Sequence, residues 1–216
     1  FARVNYGAVV DIEIDHRRNA ADELQLARVE FLVGDQKSEF RDLPGLSARG
    51  HIDRLPLNEW IAFGKAAQAM MVNPDEELPA QFEVSVGALE TLGRTFRDTR
   101  LSGTRSPSAW QIEISGAQAV GNIRFPREST QLPIMFDFER LWLKKSDAAE
   151  KQNTLDPRSL PPFHLTCVSL HFGAIDLGQS ELVASKSPDG LRLEKISAHQ
   201  AGFSLQGTGD WKLQSG

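Results

Sequence analysis

The chain has 216 residues, 40% hydrophobic and 25% charged, with a formal net charge of −5; this is enough to bury a core in one or two domains without covalent staples. The acidic balance, with Lys and Arg scattered rather than clustered, argues against a nucleic-acid partner, and a single cysteine, Cys167, excludes an internal disulfide. No apolar run reaches the roughly 18 residues of a membrane helix, and the opening at Phe1, with no initiating Met or signal peptide, reads as a piece of a longer protein.

Period-two alternation is the main signal along the chain, and it means strands with one wet and one dry face. Residues 9–15 (VVDIEID) place Val10, Ile12 and Ile14 on one side and Asp11, Glu13 and Asp15 on the other. Residues 24–33 (LQLARVEFLV) change phase, Leu24 and Leu26 sharing one face while Val29, Phe31 and Val33 share the opposite one; a bulge near Ala27–Arg28 restores the register. Residues 57–71 (LNEWIAFGKAAQAMM) break the strand pattern. Trp60, Ile61, Phe63, Ala67, Met70 and Met71 fall at helical spacing, Asn58 is a suitable N-cap and Pro74 follows the end, which predicts one amphipathic helix near 58–72. Such a helix plugs one end of a sheet or docks on a partner; its polar face carries only Lys65 as a cation, which disfavours a membrane surface.

Strand alternation resumes at 82–86 (FEVSV), 110–114 (WQIEI) and 134–138 (IMFDF). Residues 144–162 are polar and aperiodic and end in Pro161–Pro162, which predicts a linker or long loop between a larger β region, 1–143 with the helix at 57–72, and a smaller one, 163–216. Short alternation at 191–193 (LRL) and 203–205 (FSL) completes the chain. The expected fold is mainly β: repeated antiparallel meander units forming a twisted or curled sheet or groove.

The repetition is visible in the letters. In 106–126, Ser106–Pro107, Trp110, Ile112, Glu113 and Gly121 match Ser187–Pro188, Leu191, Leu193, Glu194 and Gly202, with a one-residue gap needed before the second strand. A partial third copy pairs 44–52 (PGLSARGHI) with 201–209 (AGFSLQGTG). Each copy reads as a meander of strand, tight turn, strand, short loop and strand, and SPDG at 187–190 supplies the turn, with Pro188 at its second position and Gly190 in the left-handed conformation.

Reactive chemistry is sparse. The five histidines lack metal-ligand spacing, and His164 and His171, seven residues apart in one strand, are expected on opposite faces. There is no nucleophile elbow, P-loop or dinucleotide fingerprint, so no cofactor and no enzymatic role are expected. GTGDW at 207–211 lacks a following helix, and Gly207 and Gly209 read as a bulge or a close backbone approach. The carboxylates Asp11, Glu13, Asp15, Glu113, Asp137 and Glu139 fall on wet faces as solvated side chains.

Several segments, in this order, resemble the C-terminal region of YhdP-type proteins of the AsmA-like group of Gram-negative bacteria: 43–63 (LPGLSARGHIDRLPLNEWIAF), 122–126 (NIRFP), 133–143 (PIMFDFERLWL), 155–165 (LDPRSLPPFHL) and 177–211 (LGQSELVASKSPDGLRLEKISAHQAGFSLQGTGDW). The resemblance implies a very large periplasmic protein of repeated strands with one inner-membrane anchor outside these residues. It also implies a link to phospholipid movement between inner and outer membranes, and no catalytic motif. A sheet with one dry face must cover it, and acyl chains suit that role because their attraction is non-directional and scales with buried apolar area. The expected partners are therefore phospholipid acyl chains and neighbouring repeats of the same chain. The candidate lipid-facing residues are Trp110, Ile112 and Ile114, then Ile123 and Phe125, then Ile134, Phe136 and Phe138, and in the last repeat Leu191, Leu193, Phe203 and Leu205. The alternatives are a closed core at these positions and an interaction or scaffolding module of the cell envelope that touches no lipid.

Overall fold

The structure, a computed structural model, describes residues 2–6, 10–18, 22, 24–34, 43–57, 79–91, 93–127, 132–144 and 156–212. Their strands are β1 (Ala2–Tyr6), β2 (Val10–Arg18), β3 (Leu24–Val33), β4 (Gly45–Pro56), β5 (Ala80–Thr91), β6 (Arg94–Arg105), β7 (Ala109–Ser115), β8 (Ala119–Pro126), β9 (Ile134–Leu143), β10 (Phe163–Phe172), β11 (Ile175–Ser187), β12 (Gly190–Gln200) and β13 (Phe203–Lys212). They form one thirteen-stranded sheet whose spatial order is the order of the chain, with β1 and β13 at its two edges. The sheet is mostly antiparallel and does not close on itself. The predicted helix near 58–72 lies outside the described residues.

Three neighbouring pairs are parallel, β3–β4, β4–β5 and β9–β10, which alternation within single strands does not specify. Parallel neighbours require the chain to travel back along a full strand, whereas antiparallel ones need only a tight turn. The chain makes these returns through residues 34–44, 57–79 and 144–162. Residues 144–162 thus join two hydrogen-bonded neighbours of one sheet. The described end of this stretch is anchored on the β11–β12 hairpin: Pro157 is fully buried, and Lys186 Nζ donates to the Arg158 carbonyl at 2.8 Å.

Short turns of two or three residues make the fully described antiparallel connections, β6–β7, β7–β8, β10–β11, β11–β12 and β12–β13. Ser187 pairs directly with Gly190, leaving Pro188–Asp189 as the hairpin tip. Gly190 is required there by proximity as well as by its φ of 153°, since a Cβ would lie 2.2 Å from the Trp211 carbonyl oxygen. The two best-matched repeat copies are both hairpins, β7–β8 and β12–β13. The third is not equivalent: β4 has two parallel neighbours, while β13 is an antiparallel edge.

Bulges keep dry residues on one face. In β3 the extra residue is Ala27, since Asp15 pairs with Arg28 and His16 with Leu26. In β10 the register shifts between Cys167 and Leu170, so His164 and His171 come out on the same face, the polar one, and not on opposite faces. His171 pairs with Trp142 in register, its ring 5.9 Å from the indole, while His164 Nε2 meets Glu181 Oε1 at 3.1 Å. At Gly207 and Gly209 nothing would lie within 4 Å of an added Cβ, and the bulge sits opposite them in β12, between Leu193 and Ile196.

The core is the inner part of one sheet face. Leu55, Val86, Leu89, Phe96, Leu101, Ile114, Phe138, Leu141 and Cys167 are buried in a single cluster drawn from β4 to β10.

Candidate functional site

Residues directly opposite each other in neighbouring strands project from the same face. From β2 to β7 one lateral row runs Ile12, Phe31, Ala48, Phe82, Gly103, Ile112, each opposite the next. From β8 to β13 it continues as Ile123, Phe136, Leu165, Leu182, Ile196, Gly207. No polar side chain interrupts it. The Phe82 ring occupies the space above Gly103, where a Cβ would lie 2.4 Å from it, and reaches the Trp110 ring at 5.9 Å between centroids. Phe136 sits between Phe138 and Phe163, 6.3 Å from each.

All twelve sequence-predicted lining residues fall on this face. Trp110, Ile112 and Ile114 oppose Phe125, Ile123 and Gly121, and Ile123 opposes Phe136. Ile134, Phe136 and Phe138 oppose Phe163, Leu165 and Cys167. Leu191 and Leu193 oppose Trp211 and Gly209, while Phe203 and Leu205 oppose Gln200 and Ala198. Their accessibility divides them. Leu191 is fully buried, Ile114 and Phe138 are buried, and Trp110, Ile112, Ile123, Ile134, Phe136 and Leu193 are half-buried. Phe125, Phe203 and Leu205 are exposed, at 45%, 40% and 45%. Phe82, Leu165, Leu182 and Ile196 belong to the same row and were not among the predicted lining. Phe82 and Leu165 sit in alternating runs, so the period alone would have included them.

The opposite face is polar and tied by charge pairs. Glu13 and Glu30 lie directly opposite each other in β2 and β3, a repulsive placement, and each has its own arginine. Arg28 pairs with Glu13, and Arg49 Nε donates to the fully buried Glu30 Oε1 at 2.6 Å. Farther along, Lys195 Nζ donates to Glu181 Oε2 at 2.6 Å. That hydrogen bond, joined by His164, holds the Glu181 carboxyl below its usual range. Arg54 and Glu90 make a two-pronged exposed pair at 2.6 and 2.8 Å, which lowers the Glu90 carboxyl. On the apolar face, burial pushes the Cys167 thiol up. Among the described residues no three His, Cys, Asp or Glu side chains come together as metal ligands.

Comparison with protein families matches the model described as YhdP protein over residues 3–216. The chain belongs to the YhdP family. Neither the curated proteins nor the solved structures compared return a match. In this YhdP-family chain, then, an unbroken apolar row crosses an open sheet from β2 to β13. Among the described residues no helix is long and apolar enough to cross a membrane.

Proposed function

We propose that this chain is a non-enzymatic segment of a periplasmic envelope protein, anchored in the inner membrane through parts outside these residues, that carries phospholipid between the inner and outer membranes. The apolar face holds the acyl chains. The observation that carries the reading is the lateral apolar row from β2 to β13, with Phe125, Phe203 and Leu205 exposed beside it. Acyl chains gain about 25 cal/mol per Å² of apolar surface removed from water, with no requirement for direction. A row that keeps the same character from strand to strand therefore offers a path without a deep trap, which transport needs more than tight binding. Membership of the YhdP family supports the same reading.

Alternating side chains make the test sharp. A benzophenone photo-crosslinker in place of Phe125 or Leu205 is expected to capture phospholipid in cells, and one at the adjacent Arg124 or Ser204, on the opposite face, is not. Equal capture from both faces, or none from Phe125 and Leu205, would refute the lipid path. A second reading, a scaffolding module, draws on the exposed edge strand β13, whose residues are all exposed. Crosslinks from β13 to protein alone would favour it.

A further inference from the structure

The polar face carries a second feature, chemically unlike the first. A cleft of about 500 Å3 opens on it over β3–β9, a size typical of small-ligand sites. Two lateral rows of polar residues line it, together with Leu43 and, between the two rows, Ala48, Phe82, Gly103, Ile112 and Ile123. One runs Glu30, Ser47, Gln81, Thr104, Gln111, Arg124, each residue directly opposite the next. The other runs Arg49, Glu83, Ser102, Glu113, Asn122, Asp137 in the same manner. At about 4.8 Å per strand the rows form a trench on the order of 30 Å long, crossing the strands.

An unsatisfied group marks the trench as more than a wet surface. Ser47 is only 6% exposed and lines the cleft, yet its Oγ has no hydrogen-bond partner. A buried hydroxyl left unpaired is costly and uncommon, so it needs a reason. Beside it the buried Glu30 is held by Arg49 at 2.6 Å, which fixes that end of the lining.

We infer that this trench binds a linear oligosaccharide free of acidic groups. Three hydroxyls (Ser47, Ser102, Thr104) and three amides (Gln81, Gln111, Asn122) offer donors and acceptors at successive strands, the complement of a chain of sugar hydroxyls. Four carboxylates against two guanidiniums leave two excess negative charges, which repel phosphorylated or sulfated chains and favour neutral or amine-bearing ones. An extended β-linked glycan laid across the strands presents one ring to each strand or two. Rotation of its side chain toward the cleft lets the buried Ser47 hydroxyl take its missing partner from the ligand.

The test uses the 216-residue chain and three probes: chitotriose, its de-N-acetylated cationic form, and a sulfated heparin-derived trisaccharide. Amide NMR is expected to show saturable shifts at 102–104, 111–113 and 122–124 with the first two probes. The cationic form binds more tightly at low salt, and the sulfated one gives no shifts. The double variant Gln111→Ala/Glu113→Ala, both on exposed positions, is expected to weaken binding roughly tenfold with an unchanged melting temperature. Ser47→Ala removes the orphaned hydroxyl and is expected to hold or raise the melting temperature while weakening the sugar. Absence of shifts with both non-sulfated probes, equal binding of the sulfated one, shifts confined to the apolar face, or undiminished binding by the double variant would each overturn the inference.

Discussion

Cys167 shows how much a single position's environment decides. It lies in the core cluster, 2% exposed, and burial raises its thiol above the ordinary range. The thiolate is the reactive form, so iodoacetamide at pH 8 is expected to label Cys167 only at the rate of local opening, with fast labelling in urea. Rapid labelling of the folded chain would contradict its placement. The Glu30–Arg49 pair is the polar counterpart. Arg49→Met removes the guanidinium that Glu30 Oε1 accepts from and is expected to cost about 3–5 kcal/mol in urea unfolding, whereas the double change Glu30→Gln/Arg49→Met is expected to recover much of that. If the double variant is no better than the single one, the pair is not coupled as the geometry requires.

Between single side chains and the sheet lie the strand pairs, and here bulges and cross-strand polar groups set the terms. His164 on β10, Glu181 on β11 and Lys195 on β12 bridge three strands on the polar face. Lys195 first, and His164 with it, depress the Glu181 carboxyl. A depressed folded value contributes stability above the ordinary carboxylate range, near pH 4.3, and the contribution disappears as pH falls through the lower folded value. Glu181→Gln is therefore expected to be less stable than the parent near neutrality and to converge with it in acid, by an amount that shrinks in high salt because the groups are partly exposed. Parallel pH–stability curves for the two proteins would exclude this linkage. Gly121 has a related local role at the β8–β9 register shift, where a Cβ would lie 2.4 Å from the Asp137 carbonyl oxygen; that backbone contact leaves no room for a larger residue.

At the scale of the molecule, an open sheet ordered along the chain has a centre and two ends, and its stability is graded accordingly. The buried cluster is drawn from β4 to β10, while every residue of β13 is exposed. Hydrogen exchange is expected to be slowest in β5–β9 and fastest in β13, despite the full antiparallel ladder β13 makes with β12. Uniform protection across the thirteen strands would mean that the edge is covered in solution. The same openness exposes Phe203, Leu205 and Trp211 at that edge.

Much of this was legible from the letters. Alternation at 110–114, 123–125 and 134–138 assigned Ile112, Ile123 and Phe136 to a dry face, and register places them in one row. The phase change in 24–33 pointed to a bulge near Ala27–Arg28, and the register makes Ala27 the extra residue. These readings succeed because the pleat is local: a strand fixes which side chains share a face whatever its neighbours do. The parallel pairings of β3–β4, β4–β5 and β9–β10 were beyond reach, since strand direction depends on how the long connections return. The common face of His164 and His171 was hidden too, because a bulge in β10 inverts the count. The polar trench is the clearest case. Ser47, Thr104, Gln111 and Arg124 stand apart in sequence as ordinary wet-face residues, and only the lateral register brings them into line. Sequence determined which residues of a regular run share a dry face; tertiary structure alone decided what stands beside what, because lateral order comes from hydrogen bonds between distant segments.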